Sequence, residues 1–154
     1  MGRVIVIAAT GALLGSCVGC GHAGSLPGAG GAAERAYLVR LSAEQAKLAA
    51  AERRLPTRPR TPAALSRSIT LLGAAIRRLA EDLRAIHPPA SVATLHLRLT
   101  SIVRGYSLQL IALAREARVP GREISASRAL VAATDQASRA FAAISQEINS
   151  RIKR

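Results

Sequence analysis

Residues 61–89 read TPAALSRSITLLGAAIRRLAEDLRAIHPP. Within them Leu65, Ile69, Leu72, Ile76, Leu79, Leu83 and Ile86 recur in alternating steps of four and three. That spacing lines one face of an α-helix and buries it against neighbours. Thr61 followed by Pro62 predicts the start, because a threonine hydroxyl accepts from a free first-turn amide and proline is at home at the first helical position. Pro88-Pro89 predicts the end, since a proline pushes the residue before it away from helical geometry.

Three further helices are predicted around this one. Upstream, about Ala32 to Leu55, the apolar side holds Tyr37, Leu38, Leu41, Leu48 and Leu55 but is interrupted by Gln45 and Glu52, so this helix is expected to pack less tightly. Downstream, from about Pro89 to Arg118, Val92, Leu95, Leu99, Ile102, Tyr106, Leu110, Leu113 and Ala117 share one side. Gly105 lies in the middle of that helix, where glycine costs up to about 1 kcal/mol relative to alanine, and a close helix crossing is expected there. The last helix, from about Arg122 to near the C-terminus, carries Leu130, Ala133, Ala137, Phe141, Ile144, Ile148 and Ile152. His87-Pro88-Pro89 and Val119-Pro120-Gly121 leave room only for immediate reversal, and the proline-rich link 56–62 is still of ordinary length for a bundle. The expected fold is all-α: an antiparallel up-down-up-down four-helix bundle over residues 32–154. No run of residues alternates in the manner of a strand.

Composition agrees. The chain has no tryptophan, and Tyr37, Tyr106 and Phe141 are its only aromatic residues besides histidine. A core of small aliphatic side chains suits closely packed helices. One domain is expected from 154 residues.

The opening MGRVIVIAATGALLGSC has the three parts of a secretory leader: Arg3, an apolar run Val4 to Leu14, and the small residues Gly15 and Ser16 ahead of Cys17. The run is shorter than the roughly 20 residues a spanning helix needs. At Leu14-Gly15-Ser16-Cys17 the sequence resembles the lipobox of bacterial lipoproteins. The resemblance implies that residues 1–16 are a signal peptide, that the Cys17 thiol receives diacylglycerol, and that fatty acyl chains of the palmitate kind then hold the mature chain on the outer face of the cell membrane. Cys20, preceded by Val18-Gly19, is the alternative lipidation site. Two acyl chains give stable attachment where one is marginal. Residues 17–31, rich in glycine, are expected to form a flexible tether.

The same cysteines fit other chemistry poorly. Cys17-Val-Gly-Cys20 is not set in the βαβ pattern of a redox site, and Gly21 stands where haem attachment would need histidine. A zinc site from Cys17, Cys20 and His22 lacks a fourth nearby ligand. For a di-metal bundle, the residues three before His87 and His96 are Arg84 and Ala93, not glutamate. No G-x-S-x-G motif selects a serine nucleophile. His96 is expected as a hydrogen-bonded histidine beside the third apolar stripe, and His87 as a neighbour of the second helix's last carbonyls. No cofactor, metal or catalytic residue is predicted, and the chain is expected not to be an enzyme.

Charge is the remaining signal. Lysine and arginine number 22 against 9 acidic residues, and loss of Arg3 with the leader would still leave 21 − 9 = +12. Such a surface attracts polyanions, although the codon usage of a GC-rich genome produces the same arginine bias. Nucleic-acid binding is not expected: the arginines scatter over all four helices and the three aromatics sit on core faces. Arg53, Arg54, Arg58 and Arg60 cluster about the first joint, and Arg151, Lys153 and Arg154 close the chain; these are the expected contacts with an anionic surface. The expected function is a lipid-anchored envelope protein with a binding or structural role toward anionic lipid, wall polymer or another envelope protein. The alternative is a small-ligand carrier or sensor with a pocket between helices near Gly105 and Tyr106.

Overall fold

The computed structural model describes residues 31–54, 59 and 61–153. The expected signal peptide, Cys17, Cys20, Arg58, Arg60 and Arg154 lie outside the described residues, as does all of the expected tether but Gly31. Four α-helices make up the described chain: α1 (Ala32–Glu52), α2 (Pro62–Ala85), α3 (Ala93–Glu116) and α4 (Glu123–Ile152), with a single 3-10 turn, Ala90–Val92, leading into α3. No strand occurs among the described residues.

Local chemistry explains where α2 begins and ends. The Ala64 amide donates to Thr61 Oγ1 at 3.1 Å, with Pro62 at the first helical position, and the helix stops at Ile86, whose extended backbone leads into the two prolines. Between α3 and α4 the chain turns through Gly121, whose φ of +81° is the left-handed conformation that glycine adopts without strain.

The predicted stripe of α2 is the core's centre: Ile69, Leu72, Ile76, Leu79, Leu83 and Ile86 are all buried, and Leu65 packs at the edge. They meet Leu95, Leu99, Val103, Leu110 and Leu113 of α3, and Leu130, Ile144, Ile148 and Ile152 of α4 complete the same cluster. By contrast, α1 contributes only Tyr37 and Leu41 as fully buried residues. Polar side chains explain its looser seat. Glu44 Oε2 and Gln45 Nε2 are enclosed with no protein partner among the described residues, which offsets part of what the leucines contribute.

The close crossing falls elsewhere than expected. A Cβ built on Gly105 would meet nothing within 4 Å, whereas one on Gly73 of α2 would lie 3.3 Å from Leu110 Cβ. Glycine was needed where α2 lies against α3, and the exposed Gly105 packs on nothing. Two substitutions read this out in thermal or urea denaturation. Gly73→Val forces the helices apart and loses about 1–3 kcal/mol, while Gly105→Ala gains up to about 1 kcal/mol from helix propensity alone.

Polar bonds close the ends of the α2–α3 pair. At the end of α3 the Arg118 amide turns to Arg115 O, and Ala114 O is taken instead by the Ser66 hydroxyl of α2 at 2.7 Å. At the end of α2, His96 Nε2 of α3 reaches Leu83 O at 2.9 Å. Each helix thus supplies a side chain to the last carbonyls of the other. Helix ends buried without such partners are costly. Between α3 and α4, Ser125 Oγ donates to Glu116 Oε1 at 3.0 Å and Tyr106 bonds Thr134 at 2.8 Å, so the contacts advance along α4 as they retreat along α3.

Candidate functional site

Two polar constellations stand out, one sealed and one open to solvent. The sealed one is centred on His96, 3% exposed, with Tyr37, 2% exposed, above it. A carbonyl only accepts, so the bond to Leu83 O requires a proton on Nε2. Nδ1 is then bare, and it accepts from the Tyr37 hydroxyl at 3.1 Å. The two rings meet edge to face, 5.6 Å between centroids and 73° between planes. Burial holds the imidazole pKa below its usual value, against the opposing pull of the Leu83 carbonyl, and burial pushes the Tyr37 phenol up to about 12. Burial thus favours the neutral form of both groups. With both ring nitrogens bonded and both side chains buried, this constellation holds α1 and α2 onto α3.

His96, not His87, is therefore the histidine on the end of α2; His87 is exposed. Nothing in the local spacing could separate the two, since both lie near the Pro88-Pro89 joint and only the return of α3 along α2 brings His96 onto Leu83.

The open constellation lies where the start of α2 meets the end of α3. A cleft of about 340 Å³ is lined by Ala63, Ser66, Arg67, Thr70, Leu71 and Arg118. Its polar floor is a relay: Arg118 Nε donates to Ser66 Oγ at 3.0 Å, and Ser66 donates onward to Ala114 O. Thr70 turns its hydroxyl back to Ser66 O at 2.8 Å. The acidic side chains run from Glu34 to Glu147, all within the described residues, and among the described residues neither Arg67 nor Arg118 forms an ion pair with one of them. Sequence reasoning missed this pair. Its members are 51 residues apart by number (118 − 67), and only the α2–α3 packing brings them to one cleft.

The arginines singled out in the sequence fare differently. Arg53 and Arg54 are exposed just past the end of α1. Arg151, in the last turn of α4, is 3.3 Å from Glu147 and so is partly neutralised, while Lys153 is exposed beyond it. The two sets stand on separate helix ends. Elsewhere on the surface, Arg77 and Glu81 are a loose 3.9 Å apart, and Asp82 faces Lys47 of α1 at 3.9 Å. Exposed pairs of this kind are screened by solvent and contribute little to stability.

Compared with known proteins, the chain matches no family model, no curated protein and no solved structure. Its own chemistry is what remains. Tyr106 is half-buried on Thr134, and its phenol is raised by burial first, with the Thr134 bond opposing and Glu52 adding. Gly105 beside it faces open space, and the cleft described above is lined by neither residue but by the start of α2 and Arg118 just past α3. Among the described residues no cluster of three histidine, cysteine or acidic side chains is placed to hold a metal ion. No described helix is long and apolar enough to cross a membrane.

Proposed function

We propose that the chain is exported and held on the outer face of a bacterial cell membrane by acyl chains on Cys17 or Cys20. Residues 32–154 form an antiparallel up-down-up-down bundle that works without catalysis, by binding or by structural presence in the envelope. Its partners are anionic: membrane lipid, wall polymer or an acidic envelope protein, and not nucleic acid. The antiparallel order is supported by contacts that rise along one helix as they fall along the next: Ser66 with Ala114 and Leu83 with His96, then Glu116 with Ser125 and Tyr106 with Thr134.

The observation that carries the partner class is uncompensated charge. Nine acidic residues face 22 basic ones, and the ion pairs that form engage Lys47, Arg77 and Arg151. Near an anionic lipid surface each free arginine adds about 1 kcal/mol of attraction, falling off within a Debye length.

Two measurements test this. A fatty-acid probe should label the wild-type protein in cells, and Cys17→Ala should abolish labelling and release the protein from the membrane fraction; label retained in that variant moves the site to Cys20, and label absent from wild type removes the anchor altogether. Binding to vesicles containing phosphatidylglycerol should weaken steeply as salt is raised, as screening requires. Salt-independent binding would count against an electrostatic partner.

A further inference from the structure

We infer that the cleft between the start of α2 and the end of α3 binds the phosphate oxyanion of an amphiphile, with Arg67 and Arg118 holding the oxygens and Ala63 and Leu71 taking the apolar part. Three observations carry this. The cleft has the volume of a small-molecule site, about 340 Å³. Its two cations have no carboxylate partner among the described residues, which include every acidic side chain of the sequence. One of them is oriented in advance: Ser66, 1% exposed, accepts from Arg118 Nε and is itself fixed on Ala114 O.

A guanidinium has five N–H donors. One is spent on Ser66, and the terminal nitrogens keep theirs for a ligand. Planar forks of this kind match phosphate oxygens two at a time, and the resulting charge-assisted bonds are roughly twice as strong as neutral ones. The start of α2, whose macrodipole is positive, borders the same space through Ala63. Leu71, 52% exposed on the cleft wall, gives an acyl or other apolar group a surface to cover. The inference deepens the reading above and rests on it only for the ligand's origin in an envelope.

Titration of the full-length protein with dihexanoylphosphatidic acid, kept below its aggregation threshold, tests it by calorimetry. Saturable binding of one molecule per chain is expected, and Arg67→Ala/Arg118→Ala weakens it about tenfold or more. Arg118→Lys keeps the charge but loses the Ser66 relay, and weakens it several-fold. The control Arg128→Ala/Arg139→Ala removes the same charge from exposed positions on α4 and leaves the affinity unchanged. Equal loss in both double variants would overturn the site in favour of diffuse charge. Inorganic phosphate is expected to bind more weakly than the lipid; equal affinity would assign the cleft to the free anion and overturn the apolar half. Vesicle binding that stays salt-sensitive in the Arg67/Arg118 variant, with no lipid titration in wild type, sinks the cleft while leaving the surface reading intact. Both arginines are exposed, so the variants should keep the wild-type melting temperature.

Discussion

Ile76→Asp should abolish the cooperative thermal melt. Ile76 is 4% exposed in the middle of α2. Removing its side chain from the core forfeits about 2–3 kcal/mol of apolar burial, and an unpartnered carboxylate in its place adds several kcal/mol of desolvation. Together these approach or exceed the whole stability of an ordinary domain, about 5–15 kcal/mol. Leu71→Asp is the matched control. It carries the same charge on the same helix at a position 52% exposed, and should change stability by no more than about 0.5 kcal/mol. Circular dichroism at helical wavelengths separates the two. A cooperative melt retained by Ile76→Asp would mean that the α2 stripe is not the core.

His96→Ala carries the second large effect. It strips the Tyr37 hydroxyl of its acceptor, takes one donor from Leu83 O and leaves a cavity, a loss of about 2–5 kcal/mol. Tyr37→Phe, which keeps the ring contact and removes one bond, should lose about 1 kcal/mol. The same imidazole makes stability depend on pH. Its pKa in the folded chain is lowered, so below the ordinary value near 6.5 the unfolded chain binds a proton that the folded one refuses. Unfolding is then favoured as pH falls. The contribution is complete above the unfolded value and is lost as pH drops from there toward the folded value. A falling melting temperature through that window in wild type, and a flat one in His96→Ala, is the expected pair of curves. Parallel curves would show that another group titrates.

Much of the helical layout was legible from spacing alone because the apolar side chains recur at helical steps between prolines. The α2 boundaries followed from Thr61-Pro62 and Pro88-Pro89, and the interruption of the α1 stripe by Gln45 and Glu52 anticipated its shallow seat. What the residues did not disclose is tertiary. Gly73 and Gly105 are equivalent as letters within helical patterns, and only Leu110 on the facing helix tells them apart. Ser66 and Thr100 are polar residues that nonetheless lie buried beside the apolar stripes, because their hydroxyls bond to carbonyls. The cleft was hidden for the same reason: the charge clusters legible along the chain are at Arg53–Arg60 and Arg151–Arg154, whereas Arg67 and Arg118 line one cleft from two different helices.

An aliphatic stripe is a poor ruler. Leucines and isoleucines repeating every three or four residues would pack almost as well if α2 slid along α3 by a turn, since dispersion has no direction. The exchange of side chains at the two ends forbids that slide: a displacement of one turn, about 5.4 Å, would carry the Ser66 hydroxyl off Ala114 and the His96 ring off Leu83 at once, breaking the bonds at both ends together. The oily seam supplies the adhesion, and two hydrogen bonds at opposite extremities select a single alignment from the many it would tolerate.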